Sequence, residues 1–347
     1  MKTLDISEGS PFGVVQTNER MKLGLAYFEG FDREKVNVQK QLGLDYVISG
    51  AGGDRKAPPH TYESVAAIKK MYADEGLRLS IIEGPPALDE VKLGRAGADQ
   101  QMANFKEFIK ACGDLGVNTV CYNWMPVLGW YRTKTDIITR GGATVTGFDL
   151  RDTDPEERTY AGDISEEKLW STLEGFLREI IPVCESYGMR LALHPDDPPV
   201  SPLKGIGRIL TSADAFERVF SLYDSPMNGM TFCQGCFATM GEDIPGTIRR
   251  FGRDKIYFVH FRDVQGDRGN FHETFHDDGK TDMYEAMKAY YEIGFDGIAR
   301  PDHVPTLIGE DDSMPSYGVL GNYFAVGYIR GLMEAAQKEL GAKSSYK

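Results

Sequence analysis

Hydrophobic and polar positions follow one repeating pattern along this chain. A stretch with helical periodicity ends at a glycine, and a short run rich in valine, isoleucine and leucine follows. Glycine suits the left-handed position just after a helix, and a short, almost wholly apolar run is typical of a parallel strand buried on both faces. The pattern recurs in QLGLDYVISG (41–50), DEGLRLSIIEG (74–84), DLGVNTVCYNW (114–124), SYGMRLALHP (186–195) and EIGFDGIARPDH (292–303).

These runs and similar ones predict eight strands with helices between most of them. A helix is predicted over 166–187, where Ser165 is placed to cap its start, and an amphipathic helix over 323–340 ends the chain. Further helices are predicted over 62–75 and 98–115. The strands are predicted at 21–28, 45–50, 78–84, 119–124, 190–195, 229–235, 255–263 and 297–303.

Eight alternating strand–helix units predict an α/β fold of the (β/α)8 TIM-barrel type rather than a doubly wound sheet. We expect a single catalytic barrel domain over 21–347, preceded by an N-terminal arm of residues 1–20. Long loops are predicted after strands four, seven and eight, at 125–164, 264–280 and 304–322. Loops of this length in a compact domain are usually functional or reach toward a partner subunit, and we expect a homo-oligomer.

Composition narrows the function classes. The net charge of −13, from 52 acidic and 39 basic residues, argues against a nucleic-acid partner. An anionic substrate would need a local positive centre, such as a metal ion or paired arginines. Five cysteines in a chain of 347 residues do not indicate a disulfide scaffold. Because no run of 18 apolar residues occurs, we expect no membrane partner and a cytoplasmic location.

Four predicted strand ends carry side chains able to bind a metal ion. His194, Cys233, His260 and Asp302 end strands five to eight, and the carboxyl ends of barrel strands converge on one face. Each residue alone has an ordinary structural explanation, because a buried cysteine usually packs as a small hydrophobe and a strand-end histidine is usually hydrogen-bonded. Their equivalent positions on consecutive strands favour one site, and mixed N, S and O ligands suit Fe²⁺, Mn²⁺, Co²⁺ or Zn²⁺. Cys236 is predicted to pack.

Two arginines follow strands four and seven. Arg132 and Arg262 could hold a substrate carboxylate through paired hydrogen bonds. The common alternative is that each braces a loop through a salt bridge. Tyr317, in the loop after strand eight, could equally be a packing residue.

At these residues the sequence resembles the mannonate dehydratase family, a metal-dependent branch of the xylose-isomerase-like TIM barrels. The resemblance spans roughly residues 110–335 and is weaker in the N-terminal third, where VISGAGGDRK (47–56) contains no histidine. The residues expected to bind the metal, His194, Cys233, His260 and Asp302, fall on the family's ligand positions. The matching phrases are CYNWMPVLGWYRT (121–133), LHPDDPP (193–199), NGMTFCQG (228–235), VHFRDV (259–264), FHETFHDDGKTDMY (271–284), RPDH (300–303) and SYGVLGNYFAVGYIRGL (316–332).

The resemblance implies removal of water from a small sugar acid, D-mannonate, to give 2-keto-3-deoxy-D-gluconate with Mn²⁺, Fe²⁺ or a similar divalent ion. A base takes the C2 proton, and an acid protonates the departing C3 hydroxyl. His303 and Tyr317 are the candidates for this pair, with the two roles unassigned. Asn123, Arg262 and His276 are the candidates for binding substrate oxygens, together with Arg132.

Two alternatives remain at the level of sequence. A metal-dependent isomerase, epimerase or dehydratase acting on another sugar or sugar acid would use the same proton abstraction on the same scaffold. A non-catalytic sugar-binding barrel would not need His303 and Tyr317 beside four potential metal ligands.

Overall fold

The structure is a computed structural model that describes residues 21–52, 57–311 and 315–344. The predicted N-terminal arm, residues 1–20, lies outside the described residues, and its role stays a prediction. Within the described ranges the chain forms twelve strands, ten α-helices and two short 3-10 helices, at Arg140–Gly142 and Leu150–Asp152.

The strands account for all eight that the sequence predicts and add four more. They are β1 (Lys22–Tyr27), β2 (Tyr46–Ser49), β3 (Arg78–Glu83), β4 (Thr119–Asn123), β5 (Lys134–Ile138), β6 (Thr144–Asp149), β7 (Arg190–His194), β8 (Asn228–Cys233), β9 (Ile256–Phe261), β10 (Val264–Asp267), β11 (Asn270–Glu273) and β12 (Ile298–Pro301).

Eight of these strands close into a parallel barrel in the order β1-β2-β3-β4-β7-β8-β9-β12. Closure occurs where β1 pairs with β12, with Lys22 opposite Ile298 and Leu23 opposite Ala299. The predicted TIM-barrel fold is therefore confirmed. A packed cluster fills part of the barrel interior and includes Ile48, Ile81 and Phe258, so the interior is a core rather than a pore.

The helices surround the barrel, and the predicted caps at Ser165 and at the glycines of the recurring phrases agree with the observed helix ends. Ser165 caps α5, since its hydroxyl accepts a hydrogen bond of 3.2 Å from the Lys168 amide. The glycine in each of the five recurring phrases has a positive φ, between 63° and 76°. The helices are α1 (Arg33–Gln41), α2 (Tyr62–Ala73), α3 (Asp89–Leu93), α4 (Ala98–Asp114), α5 (Glu166–Tyr187), α6 (Ala213–Leu222), α7 (Gln234–Met240), α8 (Ile244–Phe251), α9 (Met283–Glu292) and α10 (Val319–Ser344).

The long segments after β4 and β9 are not simple loops, which corrects the sequence prediction. They contribute strands to one antiparallel sheet, in the order β10-β11-β6-β5. Phe271 pairs with Phe148 across the junction between the two segments, and Thr306, in the segment after β12, pairs with Thr144. These pairings join distant parts of the chain, so the local pattern did not reveal them. The added sheet and the Thr144–Thr306 bridge join the long segments that follow β4, β9 and β12.

Further expectations concern the cysteines, membrane-spanning helices, the oligomeric state and the location of the protein. All five cysteines are free and buried, so the chain is not a disulfide scaffold, as predicted. Among the described helices, none combines the length and the apolar character needed to span a membrane. Homo-oligomer formation through 125–164 and a cytoplasmic location stay predictions.

Candidate metal centre and active site

The carboxyl ends of the barrel strands enclose a cavity of about 140 Å³. Its lining includes six of the ten residues predicted for the site: Asn123, His194, His260, Asp302, His303 and Tyr317. It also includes Glu83, Trp130, Asp197 and Arg300. The remaining predicted residues, Cys233, Arg132, Arg262 and His276, lie outside this lining.

Three of the four predicted metal ligands form a compact group. One donor atom from each of His194, Cys233 and His260 lies within 4.8 Å of the others. His194 Nδ1 donates to the Pro195 carbonyl over 2.7 Å, which leaves Nε2 as the ring nitrogen placed to bind a metal ion. That Nε2 lies 3.1 Å from Nδ1 of His260. Two imidazole nitrogens and a sulfur therefore face one small volume.

The fourth predicted ligand, Asp302, borders the same volume. Arg300 donates to its Oδ1 over 2.7 Å, which leaves Oδ2 directed toward the group. Oδ2 lies 3.6 Å from His260 Nδ1 and 3.8 Å from Cys233 Sγ. On the far side of the His260 ring, Nε2 lies 3.2 Å from Oε1 of Glu83. Two imidazoles, a thiol and a carboxylate make a donor set that fits a divalent transition-metal ion.

The environment of Cys233 favours the thiolate, which is the form that binds metals. Burial alone would raise its pKa. The hydrogen bond with Cys236, the Arg262 guanidinium and the two imidazoles outweigh burial and hold the pKa well below its usual value. Arg262 Nη1 lies 3.5 Å from Cys233 Sγ and 3.3 Å from Cys236 Sγ. Cys236, predicted to pack, is buried, and its hydrogen bond also stabilises the Cys233 thiolate.

A second cluster, Glu83, Cys121 and His260, also has donor atoms within 4.8 Å of one another. Arg300 already binds both Glu83 oxygens, at 2.7 and 2.9 Å. Its positive charge satisfies the carboxylate and opposes a cation there, so the group containing Cys233 is the better metal site.

The two predicted substrate-binding arginines pair with protein carboxylates. Arg262 donates to both Glu273 oxygens at 2.7 Å and to Asp197 at 2.8 Å. Arg132 binds both Asp197 oxygens, at 2.6 and 2.9 Å, and Glu273 at 2.7 Å. Only about 1% of each arginine side chain is exposed. The structure thus shows the salt-bridge alternative that the sequence left open, and it does not bring these arginines into the cavity.

His303 is oriented by Glu273, a residue that was not among the predicted site residues. Its Nδ1 lies 2.9 Å from Oε1 of Glu273. Because Nδ1 donates to that carboxylate, Nε2 is the nitrogen available for proton transfer. The ring also contacts those of Trp130 and Tyr317, at centroid distances of 5.3 and 5.8 Å. The FHETFHDD phrase contained Glu273, but no local signal linked it to His303.

Tyr317 borders the cavity edge-on to Phe28, at a centroid distance of 5.4 Å, and edge-on to His303. Burial raises its pKa, and the nearby Asp302 carboxylate adds to this effect. The phenol therefore stays protonated at neutral pH and can donate a proton or a hydrogen bond.

Asn123 and His276 have different surroundings. Asn123 ends β4, level with His194 on the neighbouring strand, and faces the cavity. His276 is buried and donates from Nε2 to the Phe261 carbonyl over 2.6 Å. Burial lowers its pKa to about 4, so this imidazole is neutral. The structure does not bring His276 to the cavity lining.

Comparison with known proteins agrees with this geometry. The D-mannonate dehydratase (UxuA) family model matches residues 21–161 and 155–343. The chain belongs to the D-mannonate dehydratase family. The match begins at residue 21, so it includes the N-terminal third, where the sequence alone showed a weaker resemblance. The predicted family, a family of hydro-lyases, is confirmed.

Individual relatives support the family over nearly the whole length. The chain is 34% identical over 345 residues to mannonate dehydratase 2 of Halalkalibacterium halodurans, covering 91% of this chain and 99% of that protein. A crystal structure of mannonate dehydratase from Streptococcus suis serotype 2 superposes with a TM-score of 0.86 at 31% identity, covering 92% of this chain and 95% of that one. A D-tagatose 3-epimerase-like protein, with a TM-score of 0.62 and 14% identity over 92% of this chain and 100% of that one, shares the fold alone.

Proposed function

We propose that this chain is a metal-dependent hydro-lyase that converts D-mannonate into 2-keto-3-deoxy-D-gluconate and water. The main support for the proposal is that His303 and Tyr317 line the same cavity as His194 and His260, whose donor atoms lie close to the Cys233 sulfur. Membership of the D-mannonate dehydratase family supplies the substrate.

The proposed ligands are His194, Cys233, His260 and Asp302, and the proposed ion is Mn²⁺ or Fe²⁺. Such an ion would supply positive charge where negative charge develops as the C2 proton leaves. Among the described residues that line the cavity, the only guanidinium is that of Arg300, which binds Glu83 and Asp302. The charge of the substrate carboxylate therefore needs compensation at the metal site and from neighbouring N–H donors.

His303 is the proposed base. Its Nδ1 is held by Glu273, so Nε2 can accept a proton from C2 of the substrate. The Glu273 carboxylate then stabilises the imidazolium cation that forms. Arg132 and Arg262 act indirectly in this proposal, because they hold Glu273 and Asp197 in place.

Tyr317 is the proposed acid. Its raised pKa keeps the hydroxyl protonated, which suits a group that donates a proton to the departing C3 hydroxyl and is a poor base. Loss of the C2 proton and of the C3 hydroxyl leaves an enol across C2 and C3. Solvent then protonates C3 as C2 becomes a ketone, and the balance is one D-mannonate to one keto acid and one water.

Proton nuclear magnetic resonance in deuterated water tests this reaction. With the Mn²⁺-loaded enzyme and D-mannonate, we expect a 3-deoxy-2-keto acid that carries solvent deuterium at C3. An epimerase or isomerase would instead return deuterium to a sugar that keeps its C3 hydroxyl, and that product would overturn the proposal. A sample treated with a chelator is the control.

A further inference from the structure

Lys92 is a buried lysine beside the cavity that the proposed reaction does not use. It lies on the short helix α3, with only 7% of the residue exposed. Burial lowers its pKa to about 8, so it stays largely protonated at neutral pH. Burying an ammonium group is costly unless hydrogen bonds and opposite charges compensate for it.

Lys92 contacts a residue that lines the cavity. Its Nζ donates a hydrogen bond of 3.0 Å to Oδ1 of Asn123. The carboxylate of Asp89 is more distant, at 3.7 Å, and 42% of the Asp89 side chain is exposed. The ammonium group is therefore bound most closely by the amide of a residue that lines the cavity.

The contacts of Asn123 fix the direction of its amide. Oδ1 accepts one hydrogen bond from Lys92 Nζ and a second, of 3.0 Å, from the backbone amide of Met125. A flipped amide would place two donors against its NH₂ group, so this orientation is determined by chemistry. Nδ2 has no hydrogen-bond partner among the described residues, and Asn123 lies level with His194 on the neighbouring strand.

We propose that Lys92 is a positioning residue that holds the Asn123 amide with its N–H group directed at a carboxylate oxygen of the sugar-acid substrate. This inference rests on the proposed function and explains how the carboxylate end of the substrate is recognised. A protonated lysine behind the amide also polarises its N–H bonds, which favours an anionic acceptor over a neutral one. Lys92 acts without touching the substrate.

The Michaelis constant for D-mannonate separates this role from a structural one. Because one hydrogen bond to a charged group is weakened, we expect Lys92→Met to raise KM about tenfold and change kcat less than about threefold. Lys106→Met is the matched control, because Lys106 forms an exposed ion pair with Glu179 on the outer surface; its KM should not change. Metal content and thermal stability should match those of the wild type in both variants.

A double-mutant cycle with Asn123→Ala tests whether Lys92 affects KM through the Asn123 amide. Asn123→Ala removes the amide that Lys92 orients, so adding Lys92→Met in that background should raise KM little further. Independent, multiplicative effects would overturn the inference, as would an unchanged KM in Lys92→Met alone. A wild-type enzyme that does not dehydrate D-mannonate overturns the proposed function and this inference together, whereas an active wild type with either of those results overturns the inference only.

Discussion

Glu273 Oε1 accepts a hydrogen bond of 2.9 Å from Nδ1 of His303, although the two residues are 30 positions apart in the chain. The bond fixes which imidazole nitrogen faces the cavity. Glu273 also accepts hydrogen bonds from Arg132 and Arg262, so the orientation of His303 depends on a network that spans three segments of the chain.

Replacing His303 tests whether proton transfer depends on this nitrogen. We expect His303→Asn to retain the metal ion and lower kcat by roughly a hundredfold to ten-thousandfold, because general-base catalysis is lost. Metal content and steady-state kinetics measured on the same preparation check the prediction. Loss of the metal together with activity would instead indicate a structural role at the metal site.

Replacing Tyr317 separates the acid from the base. Tyr317→Phe keeps the ring packing but removes the proton donor, so elimination should slow while His303 still exchanges the C2 proton with deuterated solvent. In His303→Asn, by contrast, exchange at C2 should stop. The reverse pattern in these two variants would show that the proposed roles are exchanged.

Replacing Cys233 tests the thiolate ligand. Cys233→Ser exchanges a stabilised thiolate for a hydroxyl, which is a poor ligand, so metal affinity and activity should fall together. Cys184→Ser is a suitable control, because Cys184 is also buried but lies on α5, away from the group of donor atoms. Metal content measured by mass spectrometry should drop only in Cys233→Ser. Unchanged metal content there would contradict the ligand assignment.

Replacing Arg262 tests the buried network. Its loss leaves Asp197 and Glu273 short of a partner in a buried site, so Arg262→Met should lower the free energy of unfolding by about 3–5 kcal/mol. Arg253→Met is the control, because Arg253 is half exposed and pairs with Asp296 at 3.4 Å on the surface; its effect should stay below about 1 kcal/mol. Denaturant unfolding of the metal-free proteins measures both. Equally small decreases in the free energy of unfolding of the two variants would show that the buried network contributes little to stability.

The barrel could be predicted from the sequence because each strand–helix unit carries its own local pattern. The glycine after each helix and the apolar run that follows need no information from distant residues. The positions of His194, Cys233, His260 and Asp302 followed from the same register, since equivalent strand ends meet on one face.

The sequence could not reveal the features that depend on contacts between distant segments. Pairing of β6 with β11 joins the segments after β4 and β9, and neither segment alone indicates a sheet. The pairing of Arg132 and Arg262 with Asp197 and Glu273 likewise depends on where those segments meet. An arginine that could hold a substrate carboxylate and one that holds a protein carboxylate have the same local sequence signature.

Turnover of D-mannonate by the purified chain tests metal-dependent dehydration most directly. The assay follows 2-keto-3-deoxy-D-gluconate after loading with Mn²⁺, after loading with Fe²⁺ without oxygen, and after treatment with a chelator. We expect turnover that the chelator abolishes and that added metal restores. Undiminished turnover in metal-free protein, or a metal-loaded protein that leaves D-mannonate unchanged, would contradict this expectation.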